Sequence, residues 1–222
     1  MNNGELLKGW FDAYVREYPV FDPAGREAYE LKIGHSLRVA ENSVMIGESL
    51  DFNGGDLALA EAIGLLHDIG RFEQFRRYRT FRDGKSENHA LLGAVILKEN
   101  NVLTTLGEDE QRLILTSVSC HNMLGVPTDL PRGEDLFCRL IRDADKIDIM
   151  GVVSAYYESG QKSDFIELDL PDDSACSTGI VDDLFMGKTV DMRKMQTLND
   201  FKLLQLGWVH DLNFPLAARM ID

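Results

Sequence analysis

Long apolar runs are missing from this 222-residue sequence, and none approaches the roughly 18 residues needed to cross a bilayer. The first stretch also lacks the uninterrupted apolar core of a signal peptide, because Glu5 and Asp12 break it. Cysteine is sparse. Cys120, Cys138 and Cys176 share no CxxC spacing, which argues against a disulfide framework and reads as reduced thiols. Positive charge is in deficit as well. A formal net charge of −14 denies the chain the basic face that general nucleic-acid binding requires, although a small anion can still meet a local positive site. Internal repeats, low-complexity tracts and long alternating β patterns are absent too. These absences lead to the expectation of a cytoplasmic protein with no membrane segment.

An apolar fraction of 44% beside 27% charged residues is that of an ordinary folded protein, and the length suits one domain, 1–222, or one domain with an appendage. Helical periodicity dominates, so the expected fold class is all-α. Helices are expected over about Glu5–Glu17, ending before Pro19, and from Asp22-Pro23 to Leu50. A third follows the Asn53-Gly54-Gly55 turn, with Asp56 as its cap, and a short arginine-rich one runs from Arg71 to Tyr78. Asn88–Glu99, Glu108–Cys120 and Glu134–Glu158 come next. Residues 160–198 read as an irregular acidic excursion with one short helix near 178–187, and a closing amphipathic helix is expected over about 199–220.

Residues three, four and seven apart share a helix face, which places the histidines. His35 lies with Leu31, Val39 and Ile46; His67 follows Ala60 and Ile63. His89 precedes Leu92 and Ile96, and His121 follows Ile114 and Val118. Asp145 interrupts an apolar stripe of Phe137, Ile141, Ile149 and Val152. One histidine on such a face is ordinarily a satisfied core residue. A buried carboxylate needs a partner, and Arg142 or Lys146 are the nearby cations. Four such histidines with Asp68 and Asp145 are accounted for more simply by a common focus. Imidazoles and carboxylates without thiolates suit iron, manganese, cobalt or zinc, and six ligands suit two metals bridged by an acid.

The order His35, His67-Asp68, His89, His121, Asp145 resembles the HD-domain superfamily of metal-dependent phosphohydrolases. HDIGR at 67–71, ENHALLGA at 87–94 and RDADKID at 142–148 carry the resemblance, over a core of about 29–157. It implies a compact helical bundle of the branch that holds two divalent transition metals, iron or manganese foremost, with zinc, cobalt or nickel compatible. By position it assigns His35, His67, Asp68 and Asp145 to a first metal, with Asp68 bridging and His89 and His121 completing a second. His210 has no counterpart and is expected at the edge of the core.

Between Arg71 and Lys85 lie six cations against two acids, most of them expected on a solvated helix face. Arg71, three residues after Asp68, and Lys146, beside Asp145, are the two candidates for holding a phosphate; a salt bridge is an equal reading of Lys146. The resulting expectation is hydrolysis of a small anionic phosphate ester or nucleotide by a metal-activated hydroxide at a dinuclear centre, with Asp68, Arg71 and Lys146 serving it. Two alternatives remain open: a di-iron oxygenase of the same superfamily acting on a polyol or hydroxyphosphonate, and a non-catalytic nucleotide sensor. A hydrolase built on Cys120 and His121 is disfavoured, since adjacent helical residues point about 100° apart. The closing helix is apolar enough for core packing or for a homodimer contact.

Overall fold

A computed structural model describes residues 3–18, 22–160 and 163–221, which form helices joined by turns and loops, with no strand among them. The helices are α1 (Asn3–Arg16), α2 (Pro23–Ser49), α3 (Gly54–Leu66), α4 (Gly70–Tyr78), α5 (His89–Glu99), α6 (Glu108–Cys120) and α7 (Arg132–Ser159). Then come α8 (Asp164–Glu167), α9 (Thr178–Phe185), α10 (Leu198–Gly207) and α11 (Pro215–Ile221). Pro19, expected to end the first helix, lies outside the described residues.

Local signals explain most starts. Asp22 accepts from Gly25 N ahead of Pro23, whose missing N–H costs nothing in a first turn. Asn53, rather than Asp56, caps α3 by accepting from Gly55 N and Asp56 N. Asn88 caps α5 in the same way, which makes His89 that helix's first residue. Gly160 ends α7 at φ +63°, a left-handed conformation that a side chain would oppose.

The core is one large apolar cluster running from Leu7 of α1 to Ile147 of α7, joined by Phe214 and Ala217 of the C-terminal segment. Val39, Ile63, Leu66, Ile114, Leu140 and Ile141 are among its fully buried members, each contributing about 1.5–3 kcal/mol of burial. Two glycines let helices approach at backbone distance. A Cβ on Gly64 of α3 would lie 2.6 Å from Ala40 Cα of α2. A Cβ on Gly70 would collide with the carbonyl oxygen of His89 and lie 2.7 Å from Gly93 N. Gly70→Ala is therefore expected to cost about 1–3 kcal/mol or more by forcing α4 and α5 apart. Urea denaturation should show that loss; an unchanged midpoint would mean that the contact is not tight.

Three expectations are corrected. The closing helix is not continuous over 199–220: α10 stops at Gly207, a 3-10 turn spans Trp208–Asp211, and α11 starts at Pro215. The break is built by Asp143, which accepts from the backbone N–H of Asn213 and of Phe214. Phe214 also precedes a proline, which disfavours helical backbone there. Residues 163–198 are more ordered than an excursion: besides α9 they hold α8 and a 3-10 turn, Met192–Lys194. Leu170, Ile180 and Val190 there form a second apolar cluster with Val153, Leu198, Phe201 and Leu204. His210 is exposed on the 3-10 turn rather than at the core's edge. No helix among the described residues is long and apolar enough to cross a membrane.

Candidate metal centre

Five helices deliver the six expected residues to one place. His35 comes from the middle of α2 and Asp145 from the middle of α7, while His67 and Asp68 lie directly after α3. His89 opens α5 and His121 follows the last residue of α6. Their ligating atoms meet. His35 Nε2 lies 3.2 Å from His67 Nε2 and 3.1 Å from Asp145 Oδ1, and His67 Nε2 is 3.6 Å from the same oxygen. On the other side, His89 Nε2 lies 2.9 Å from His121 Nε2.

Asp68 stands between the two sets. Its Oδ2 is 3.5 Å from His35 Nε2 and 3.9 Å from His67 Nε2. Its Oδ1 faces His89 Nε2 at 3.2 Å and His121 Nε2 at 3.6 Å. The ligand atoms of His35, His67 and Asp145 lie within 4.8 Å of one another, as do those of His67, Asp68 and His121, so both groups could hold a metal ion.

The outer nitrogens of the rings decide what the inner ones can be. His67 Nδ1 meets the carbonyl of Gly64 at 2.7 Å and His121 Nδ1 that of Val118 at 2.7 Å, each three residues back at a helix end. A carbonyl only accepts, so both Nδ1 atoms carry the proton. His35 Nδ1 faces the Asp148 carboxylate at 2.7 Å, and His89 Nδ1 faces that of Asp83 at 2.8 Å. In the neutral rings every Nε2 is then a bare lone pair. Two facing pairs of lone pairs, with no proton between them, repel unless a cation sits among them. This donor set therefore fits metal ions, with each ring oriented by a partner on its far side.

Charge in the centre points the same way. For Asp68 burial pushes the carboxyl up, but the Lys32 ammonium and the imidazoles facing it outweigh this and hold the group well below its usual range. Asp145 is also held well below its usual range, burial being overcome by the imidazoles of His35 and His67 beside it. Burial lowers His121 to about 4, which keeps the ring neutral and free to donate its lone pair at neutral pH.

Arg142 and Lys146 do not pair with Asp145. Both reach Asp211 on the C-terminal 3-10 turn, Lys146 Nζ at 2.6 Å from its Oδ2. The salt-bridge reading of Lys146 is thus the arrangement present. Arg71 Nη1 donates to Gln74 Oε1 (2.8 Å), the carbonyl of Phe81 (2.6 Å) and Asp83 Oδ1 (2.9 Å). Its Nε is buried without a hydrogen-bond partner and forms an ion pair with Asp68 Oδ1 at 3.6 Å. The other cations of that segment are mostly paired at the surface, Arg76 and Arg77 with Glu73 and Arg79 with Asp22.

Three participants escaped the sequence reading. Lys32 places Nζ 2.8 Å from Asp68 Oδ2 and 5.2 Å from the centre of the Phe81 ring. It lies one turn before His35, so the same-face rule that placed His35 also carries this signal. Asp148, three residues beyond Asp145, was visible for the same reason. Asp83 reads in the sequence only as a charge in a basic stretch, and nothing in its spacing connects it to His89.

The HD domain family matches residues 33–150, just over half of the chain and inside the expected core of about 29–157. The chain belongs to the HD-domain family. Members of this family are for the most part metal-dependent hydrolases. No curated protein and no solved structure matches the chain significantly.

Proposed function

We propose that the centre holds two divalent transition metals, iron or manganese foremost, and hydrolyses a small phosphate ester or nucleotide. One observation carries this reading: the two oxygens of Asp68 divide the remaining ligands into two sets, His35, His67 and Asp145 against His89 and His121. When bound, such ions supply a Lewis acid at the phosphoryl group and water acidic enough to attack near neutral pH. The chain's own residues do the rest. Asp83, Asp148 and the two helix-end carbonyls hold the imidazoles in the tautomer that presents Nε2 inward.

Access supports a small anionic substrate. Asp145 is 18% exposed and Lys32 15%, whereas the side chains of the other five candidate ligands are 6% exposed or less, so the approach lies between α2 and α7. There Lys32 offers an ammonium to phosphoryl oxygens, and Arg71, on the other oxygen of Asp68, adds a second positive charge. Lys146 serves this reading as a clamp on α7, which carries Asp145, through Asp211. We read 1–222 as one such domain, since Leu168 packs against both apolar clusters.

The test is turnover by manganese- or iron-loaded protein across phosphomonoesters, phosphodiesters and nucleotides, with hydrolysis of at least one class expected. Failure against all of them would sink the hydrolase. Oxygen uptake by the iron form with a polyol or hydroxyphosphonate, without hydrolysis by the manganese form, would move the protein to the oxygenases. Tight nucleotide binding without turnover, surviving His67→Ala, would make it a sensor.

A further inference from the structure

The two halves of the centre are braced unequally. His35 is backed by Asp148, whose side chain is 4% exposed and which Arg38 grips through Nε and, at 3.1 Å, through Nη2. Both braces belong to α2 and α7, the longest helices of the molecule. His89 is backed by Asp83, the first residue of a 3-10 turn, Asp83–Lys85, in the loop between α4 and α5. The Asp83 side chain is 31% exposed.

Asp83 is nevertheless a hub. Besides His89 Nδ1 it accepts from Arg71 Nη1 at 2.9 Å, Gln74 Nε2 at 2.9 Å and Asn122 Nδ2 at 3.1 Å. Asn122 directly follows His121, so this one carboxylate touches one histidine of the second set and the residue next to the other. Within the loop the backbone pairs with itself only where Lys85 N donates to Arg82 O and Ser86 N to Asp83 O; its other backbone bonds come from side chains, Arg71 and Gln74 of α4 donating to the carbonyls of Phe81 and Glu87. A short exposed turn opens at lower free energy than a long buried helix.

We infer that Asp83 is the positioning residue that sets occupancy of the second half-site, so that the ion between His89 and His121 is the more weakly held and its binding follows the 80–88 loop. The inference rests on the dinuclear reading above. An outer carboxylate of this kind typically accounts for about 10–100-fold in metal affinity. The arrangement makes the first ion structural to the α2–α7 pair and leaves the second exchangeable.

The experiment titrates metal-free protein with manganese by calorimetry, beside Asp83→Asn. Wild-type protein should take two equivalents of unequal affinity. Asp83→Asn should keep the tight one and bind the other roughly 10–100-fold more weakly. Wild-type affinities for both ions in folded Asp83→Asn, or equal weakening of both, would overturn the inference. If circular dichroism shows that Asp83→Asn does not fold, the wild-type zinc form carries the same test under stepwise chelation. Ring resonances of His89 and His121 should then change before those of His35 and His67, and simultaneous or reversed loss overturns the inference. Wild-type protein that never exceeds one equivalent sinks the dinuclear reading as well; two equivalents with an indifferent Asp83→Asn sink this inference alone.

Discussion

Asp68→Ala is expected to empty both halves of the centre and to lower kcat/KM by about a thousandfold or more. The figure follows from the several kcal/mol of transition-state stabilisation that metal ions supply, at one decade per 1.36 kcal/mol. The position is unusual because each of its oxygens faces a different set of imidazoles, Oδ2 toward His35 and Oδ1 toward His89. His67 also belongs to both candidate groups, but it offers a single inward nitrogen where Asp68 offers two oxygens. Removing Asp68 also strips Lys32 of its partner, adding an unopposed positive charge where cations are to bind. His35→Ala, by contrast, should impair the first half and spare the second. Metal content and kcat/KM measured on the same preparations check both statements. Two tightly held equivalents in Asp68→Ala would show that the carboxylate does not bridge.

Asp211→Ala is expected to destabilise the fold by about 3–5 kcal/mol, although Asp211 lies outside the centre. Arg142 and Lys146 are one turn apart on α7, with side chains 4% and 8% exposed, and Asp211 answers both. Without it two adjacent cations stay buried with Asp143, which makes no ion pair to either, as the remaining nearby counter-charge. Burial, then the neighbouring Arg142, already depresses the Lys146 pKa, while Asp211 raises it. Arg142 also donates to the carbonyls of His121, Met123 and Leu124, so the turn after α6 hangs on the same guanidinium. A melting temperature lower by on the order of 10 °C should follow in a chain of this size. Asp211→Asn, which keeps an acceptor, should lose less. A melting temperature unchanged in Asp211→Ala would mean that the two cations find water or another acid.

The long helices were legible because each buries one stripe, and a stripe at helical spacing shows in the order of residues. The same rule turned His35, His67, His89, His121 and Asp145 inward, and resemblance grouped them with Asp68. The closing segment reads as one helix because apolar residues continue on both sides of Pro215. What breaks that helix is Asp143, which reaches it from seventy residues away. No local pattern reports such a contact.

Charged residues were the least legible. Lys146 and Lys32 look alike as isolated lysines near an acid, yet one pairs with Asp211 and the other with Asp68. Asp83 and Asp148 look like surface acids of a chain with a large negative charge, yet each orients a histidine. Periodicity says which way a side chain leaves its helix; it does not say which group from another helix it meets.

From its order of residues alone, this chain is committed to helices and to the inward-facing side chains of His35, His67, His89, His121 and Asp145, because burial of apolar stripes and the spacing of a turn are local properties. Only the tertiary structure decides that Asp68 stands between two sets, that Asp148 faces His35 and Asp83 faces His89, and that Lys146 pairs with Asp211. Those are matters of distance between helices, and an ångström-scale pairing of charges is set by the packing of the whole core.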